Sequence, residues 1–194
     1  MKGISNIVAN ALWNQGIIQK EDIDTCRYGL DVFFSSTLEV VSILAISLFV
    51  GNFIETFLFF ASFIPLRIYA GGYHANTKMR CYFVSLGVYG FFTYIMANIS
   101  HSFYLPVNYI STLFSLVIVY CMAPVIHKNK SVSNIEKKHF RKFSICICFV
   151  ETVLILLLTI IFSKSPFIAS LALGQIAVTL SMVVATIKEK MVVK

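Results

Sequence analysis

Residues 67–81 read RIYAGGYHANTKMRC. Apolar runs flank this stretch on both sides, at 53–70 and 82–100. Two adjacent glycines, a histidine and a cysteine therefore interrupt a chain that is otherwise built for lipid. His74 and Cys81 are candidates for a base and a nucleophile. On one continuous helix they would share a face but stand about 10 Å apart, from a rise of about 1.5 Å per residue. A working pair needs about 3 Å, so the segment between them must fold back. Gly71-Gly72 allow backbone angles closed to other residues and can aim the histidine. The return turn falls to Ala75-Asn76-Thr77, where Asn76 suits a turn.

The surrounding composition sets the solvent. Of 194 residues, 58% are hydrophobic and 13% charged, and the mean hydropathy is +0.81. A soluble domain of this length could not bury so much apolar surface. The expectation is an all-α, polytopic membrane protein of one domain, 1–194, with about six transmembrane helices. The apolar segments lie near 32–50, 53–70, 82–100, 103–126, 143–162 and 166–187. Each approaches the roughly 20 residues that span a hydrocarbon core about 30 Å thick. The second is the weakest, because Pro65 and Arg67 shorten it, and it reads as a short or re-entrant segment. Ile4, Ile7, Val8, Ala11 and Leu12 recur at helical spacing before the first span. They predict an amphipathic helix, lying on the membrane surface with Trp13 at the interface or packed on the protein's own loops.

The basic residues predict sidedness. Lys2, Lys20 and Arg27 precede the first span, and Arg67, Lys78 and Arg80 separate the second from the third. Lys128, Lys130, Lys137, Lys138, Arg141 and Lys142 separate the fourth from the fifth, and Lys188, Lys190 and Lys194 follow the sixth. Only Lys164 falls in an intervening loop. By the positive-inside rule both termini are cytoplasmic, as are the 67–81 loop and the basic 127–142 loop. The net charge of +7 then reports topology and contact with the bilayer rather than nucleic acid. Cys81 lies near the cytoplasmic N-terminus of the third span. Unpaired N–H groups, Lys78 and Arg80 favour a thiolate there. The five cysteines form no disulfide framework, and two ligands are too few for zinc, so no metal or cofactor is expected.

The stretch from Arg67 through Ala75, with Cys81 following, resembles the signature of the AgrB family of membrane cysteine endopeptidases. The resemblance extends over a polar N-terminal segment, about six apolar segments, a basic loop from Ala123-Pro124-Val125 and a short basic tail. It implies a thiol protease of the cell membrane that acts on an AgrD-type propeptide in quorum sensing. Such an enzyme removes the propeptide's C-terminal tail through a thioester and promotes closure to a thiolactone or lactone, an autoinducing peptide. It implies His74 and Cys81 as the catalytic pair, an acidic tail for Arg67, Lys78 and Arg80 to bind, and a homodimer.

Other assignments stay open at this level. The backbone at Gly71 and Gly72, with the start of the third span, is a candidate oxyanion site. Glu39 could orient His74, pair with Arg67, or stay protonated against a neighbouring helix. Glu55 is expected near the outer surface in solvent, and Glu151 and Gln175 between helices. The alternative class is a small peptide transporter or channel-like protein with Glu39 and Glu151 on its path. That reading gives no reason for the glycine–histidine–cysteine loop. A glutamate- and histidine-based intramembrane protease lacks paired glutamates and a second histidine within the spans.

Overall fold

The computed structural model describes residues 2–73, 77–126, 133–162 and 165–192, the side chains of Lys2, Lys78 and 189–192 excepted. The described chain is helical: α1 Lys2–Asn14, α2 Ile23–Val50, α3 Phe53–Ala70, α4 Lys78–Asn98, α5 Tyr104–Met122, α6 Asn134–Ile161 and α7 Pro166–Val192. Six helices are long and apolar enough to cross a membrane, as expected of a multi-pass membrane protein. Helices suit this setting because each satisfies its backbone groups within one segment. The second apolar segment is one unbroken helix of 18 residues with Pro65 inside it. The basic 127–142 segment is less of a loop than its charge suggested. Helix α6 begins at Asn134, where Ser133 and Glu136 form a reciprocal capping box. That device satisfies two backbone donors and lets Lys137, Lys138, Arg141 and Lys142 ride on a helix.

The chain divides into two compact units, Met1–Ile46 and Ser47–Lys194. In the first, α1 turns small residues inward: Ser5 and Ala9 are buried. The Ser5 hydroxyl donates to Asp31 Oδ1 across 2.6 Å, tying α1 to α2. Ile4, Ile7 and Trp13 stay exposed, an arrangement suited to a helix in a membrane interface.

The second unit is a bundle centred on α7. Of the α7 span 61% is buried, against 28% for α3, α5 and α6 and 11% for α4. Gly174 permits the closest approach, since a Cβ there would collide with the Phe59 carbonyl of α3. Leu66, Ala70, Val119, Ala123, Cys148, Val178 and Met182 form one buried cluster. Hydrophobic packing alone gives helices in lipid little reason to associate, so polar side chains add direction. Asn108 donates to Thr159 (3.1 Å), and Ser115 meets Thr179 (3.3 Å). Gln175 donates to the Cys148 carbonyl and to Thr152 Oγ1, each at 3.0 Å. Ser62 donates to Glu151 Oε2 at 3.1 Å. Glu151 and Gln175 thus bond between helices, as anticipated.

Helix α4 stands apart. It joins the bundle mainly through its second half, where Tyr89 and Phe92 are buried. Phe92 packs on Phe59 with ring centroids 5.5 Å apart, and Tyr89 donates to Asn52 Oδ1 at 3.1 Å. The first half carries Cys81.

Candidate functional site

The glycine pair is held from three directions. Helix α3 ends at Ala70, and the Gly71 N–H donates to the Arg67 carbonyl at 3.1 Å. Gly71 and Gly72 then take φ of 75° and 131°, a region L side chains rarely enter. Arg67 Nη1 donates to the Gly71 carbonyl at 2.7 Å and to Ser181 Oγ at 2.6 Å. Arg67 Nη2 donates to the Tyr73 carbonyl. From α7, the Ser181 carbonyl accepts the Tyr73 N–H at 3.0 Å. Lys188 Nζ lies 4.8 Å from the centre of the Tyr73 ring and 3.4 Å from its hydroxyl. From the segment after α5, the Val125 N–H donates to the Ala70 carbonyl at 2.9 Å, and Gly71 and Val125 form a parallel bridge. A Cβ on Gly71 would strike the Val125 carbonyl, and one on Gly72 would strike Arg67 and Ser181. Both glycines are needed for space as well as for φ.

His74, with Ala75 and Asn76, lies outside the described residues. Its attachment is nonetheless defined up to Tyr73. On the far side, α4 starts at Lys78, three residues earlier than Cys81. Thr77 caps it, its hydroxyl accepting the Arg80 N–H at 3.3 Å. The Cys81 N–H donates to the Thr77 carbonyl at 3.0 Å, so Cys81 sits in the first turn and is half-buried. The first-turn N–H groups that have no intrahelical acceptor belong to residues before it. Of the donors foreseen for an oxyanion, that of Gly71 is already spent on Arg67.

The anticipated tail-binding residues separate here. Arg67 directs its guanidinium at its own chain, with α7 and the glycine loop as acceptors. Arg80 is exposed at the start of α4, and the Lys78 side chain is not among those described. Glu39 is half-buried on α2 in the other unit. A basic groove that charge alone assigned to topology lies beside Val125. Cys121, Met122, Ala123, Pro124, Lys137, Lys138 and Arg141 line it. The signal available in sequence was the spacing of Lys137, Lys138 and Arg141 on one helical face, with a proline break preceding them. Among the described residues no cluster of His, Cys, Asp or Glu could hold a metal ion.

The model of the accessory gene regulator B family matches residues 4–185. The chain belongs to the AgrB family. Among AgrB relatives, accessory gene regulator protein B of Staphylococcus carnosus is 25% identical over 86% of this chain and 86% of its own length. Protein FsrB of Enterococcus faecalis is 37% identical over 50% of this chain, a match that spans 40% of FsrB. Putative AgrB-like protein 1 of Clostridium perfringens is 24% identical over 78% of this chain and 79% of its own. No solved structure matches the chain. Membership associates this chain with accessory gene regulator systems, which are quorum-sensing systems.

Proposed function

We propose that this protein is a membrane cysteine endopeptidase that cuts the C-terminal tail from an AgrD-type propeptide and promotes closure of the remaining segment into a ring. The observation that carries the reading is the placement of Cys81 in the capped first turn of α4, a chain segment away from a glycine pair pinned by Arg67, Ser181 and Val125. A helix N-terminus favours the anionic form of a thiol by its aligned peptide dipoles. A rigid approach to His74 reduces the entropy of bringing the imidazole to the sulfur.

The chemistry runs in two acyl transfers. His74 takes the Cys81 proton, and Sγ attacks the carbonyl at the junction of core and tail. The C–N bond breaks, the tail amine leaves with the proton from His74, and a thioester to Cys81 remains. A thiol or hydroxyl within the peptide then attacks that thioester, His74 moves its proton to the departing Cys81 sulfur, and the ring closes. Backbone N–H groups at the start of α4 are the candidate donors for the oxyanion of each step. Lys78 and Arg80, with the groove of Lys137, Lys138 and Arg141, supply positive charge for an acidic tail. Arg67 serves better as the residue that positions the loop. Glu39 is retained as a candidate orienting carboxylate for His74, and a second copy of the chain as a partner. The positive-inside distribution puts the termini and this site on the cytoplasmic side.

The test is co-expression with the propeptide, with tail release and ring closure followed by mass spectrometry. Cys81→Ala and His74→Ala should abolish tail release, and Cys146→Ala, at an exposed cysteine of α6, should leave it intact. Tail release that survives Cys81→Ala would defeat the mechanism. Equal loss in Cys146→Ala would point to misfolding rather than chemistry.

A further inference from the structure

A second cavity lies at the end of the Ser47–Lys194 bundle opposite the Gly71–Val125 bridge. It occupies about 260 Å³ between the start of α3, the second half of α4 and the start of α7. Phe59, Phe92, Met96 and Leu173 make its walls apolar, while Asn52, Thr56 and Glu55 bring polar groups to it. The polar side is organised. Tyr89 donates to Asn52 Oδ1 at 3.1 Å, and Thr56 Oγ1 donates to the Asn52 carbonyl at 2.9 Å. Tyr89 and Thr56 are buried, and Glu55 is half-buried.

Charge selects the ligand. Glu55 is the one charged residue on the described wall. A half-buried carboxylate beside apolar walls attracts a cation directly. Phe59, Phe92 and Tyr89 line the same space, and aromatic rings beside a bound cation add to its attraction. About 260 Å³ is room for a head group and its adjoining methylenes.

We propose that this cavity is a binding site for an amphiphilic cation, an ammonium group carried on an apolar chain. Glu55 takes the ammonium, and Phe59, Phe92, Met96 and Leu173 take the adjoining methylenes. The site stands on this end of the bundle alone and does not depend on the chemistry at Cys81.

The experiment uses the full chain in lipid nanodiscs. It is irradiated with a diazirine-bearing dodecyltrimethylammonium, or with a dodecyl sulfate carrying the same diazirine. Labelled residues are located by mass spectrometry. The cation should label Phe92, Met96 or Leu173 at least tenfold more than the sulfate does, corresponding to about 1.4 kcal/mol of selectivity. Glu55→Gln should bring the cation down to the level of the sulfate. Thr93→Trp, which fills the cavity from the half-exposed side of α4 and leaves Glu55 in place, should abolish labelling by both. Equal labelling by the two probes would show a groove that takes any chain and overturn the proposal. Undiminished cation labelling in Glu55→Gln would overturn it as well.

Discussion

Arg67 donates to the Ser181 hydroxyl across 2.6 Å, and the two residues are 114 positions apart in sequence. The same guanidinium nitrogen donates to the Gly71 carbonyl. One side chain therefore couples the central helix α7 to the backbone that leads into His74. This coupling orders the predictions that concern the loop.

Replacing Arg67 with Lys keeps the charge and removes the fork. A lysine ammonium cannot reach the Gly71, Tyr73 and Ser181 acceptors with fixed geometry. Hydrogen bonds to charged groups contribute about 1.5–3 kcal/mol each, so Arg67→Lys should lower tail release at least tenfold. Membrane insertion, followed by the amount of protein in the membrane fraction, should be unchanged. Ser181→Ala should have the same direction and a smaller effect, because Arg67 keeps its carbonyl acceptors.

The glycine pair should not tolerate a methyl group. Gly72→Ala places a Cβ against Arg67 and Ser181 at a positive φ. Strain of this kind costs about 1–3 kcal/mol before the collision is counted. A thermal melt in detergent should shift downward, and activity should fall further than stability. Gly87→Ala is the control. Nothing lies within 4 Å of a Cβ there, and in a helix interior alanine is favoured by about 1 kcal/mol. Its melt should be equal or higher.

Thr77 caps the helix that carries Cys81. Loss of an N-cap typically costs about 1 kcal/mol. Thr77→Ala should fray the first turn of α4 and reduce tail release by a factor of roughly five, on that energy. Thr77→Ser, which restores the acceptor, should recover most of the rate. A rate in Thr77→Ala equal to wild type would show that the cap does not matter to the thiol.

Gln175 is fully buried and joins α7 to α6 through the Cys148 carbonyl and Thr152. Gln175→Ala removes both bonds and leaves a cavity. A buried large-to-small change of this size costs about 2–5 kcal/mol. The variant should melt well below wild type in detergent, and its activity should recover on cooling. Activity lost without any change in the melt would assign Gln175 a role in the chemistry instead.

The family signature and the six helical segments were legible in sequence because they are local properties. A membrane span needs only enough consecutive apolar residues, and each such helix satisfies its own hydrogen bonds. The run from Arg67 to Cys81 marked an irregular connection between two apolar helices by residue type alone. The bonds of Glu151 and Gln175 between helices could also be anticipated, since a polar group in lipid must find a partner.

What the sequence could not determine was which partner each polar group would find. Arg67 read as a cation for substrate, and folding turned it onto Ser181 and the glycine loop. Glu55 read as a solvated outer residue, and folding added Phe59, Phe92 and Leu173 as its neighbours on one cavity wall. Lys137, Lys138 and Arg141 read as a loop, and the Ser133–Glu136 capping box made them one side of a groove. Composition and period decide that a segment becomes a helix. The rotation and packing of that helix decide which distant side chains meet, and only the folded chain brings residues more than a hundred positions apart within hydrogen-bonding reach.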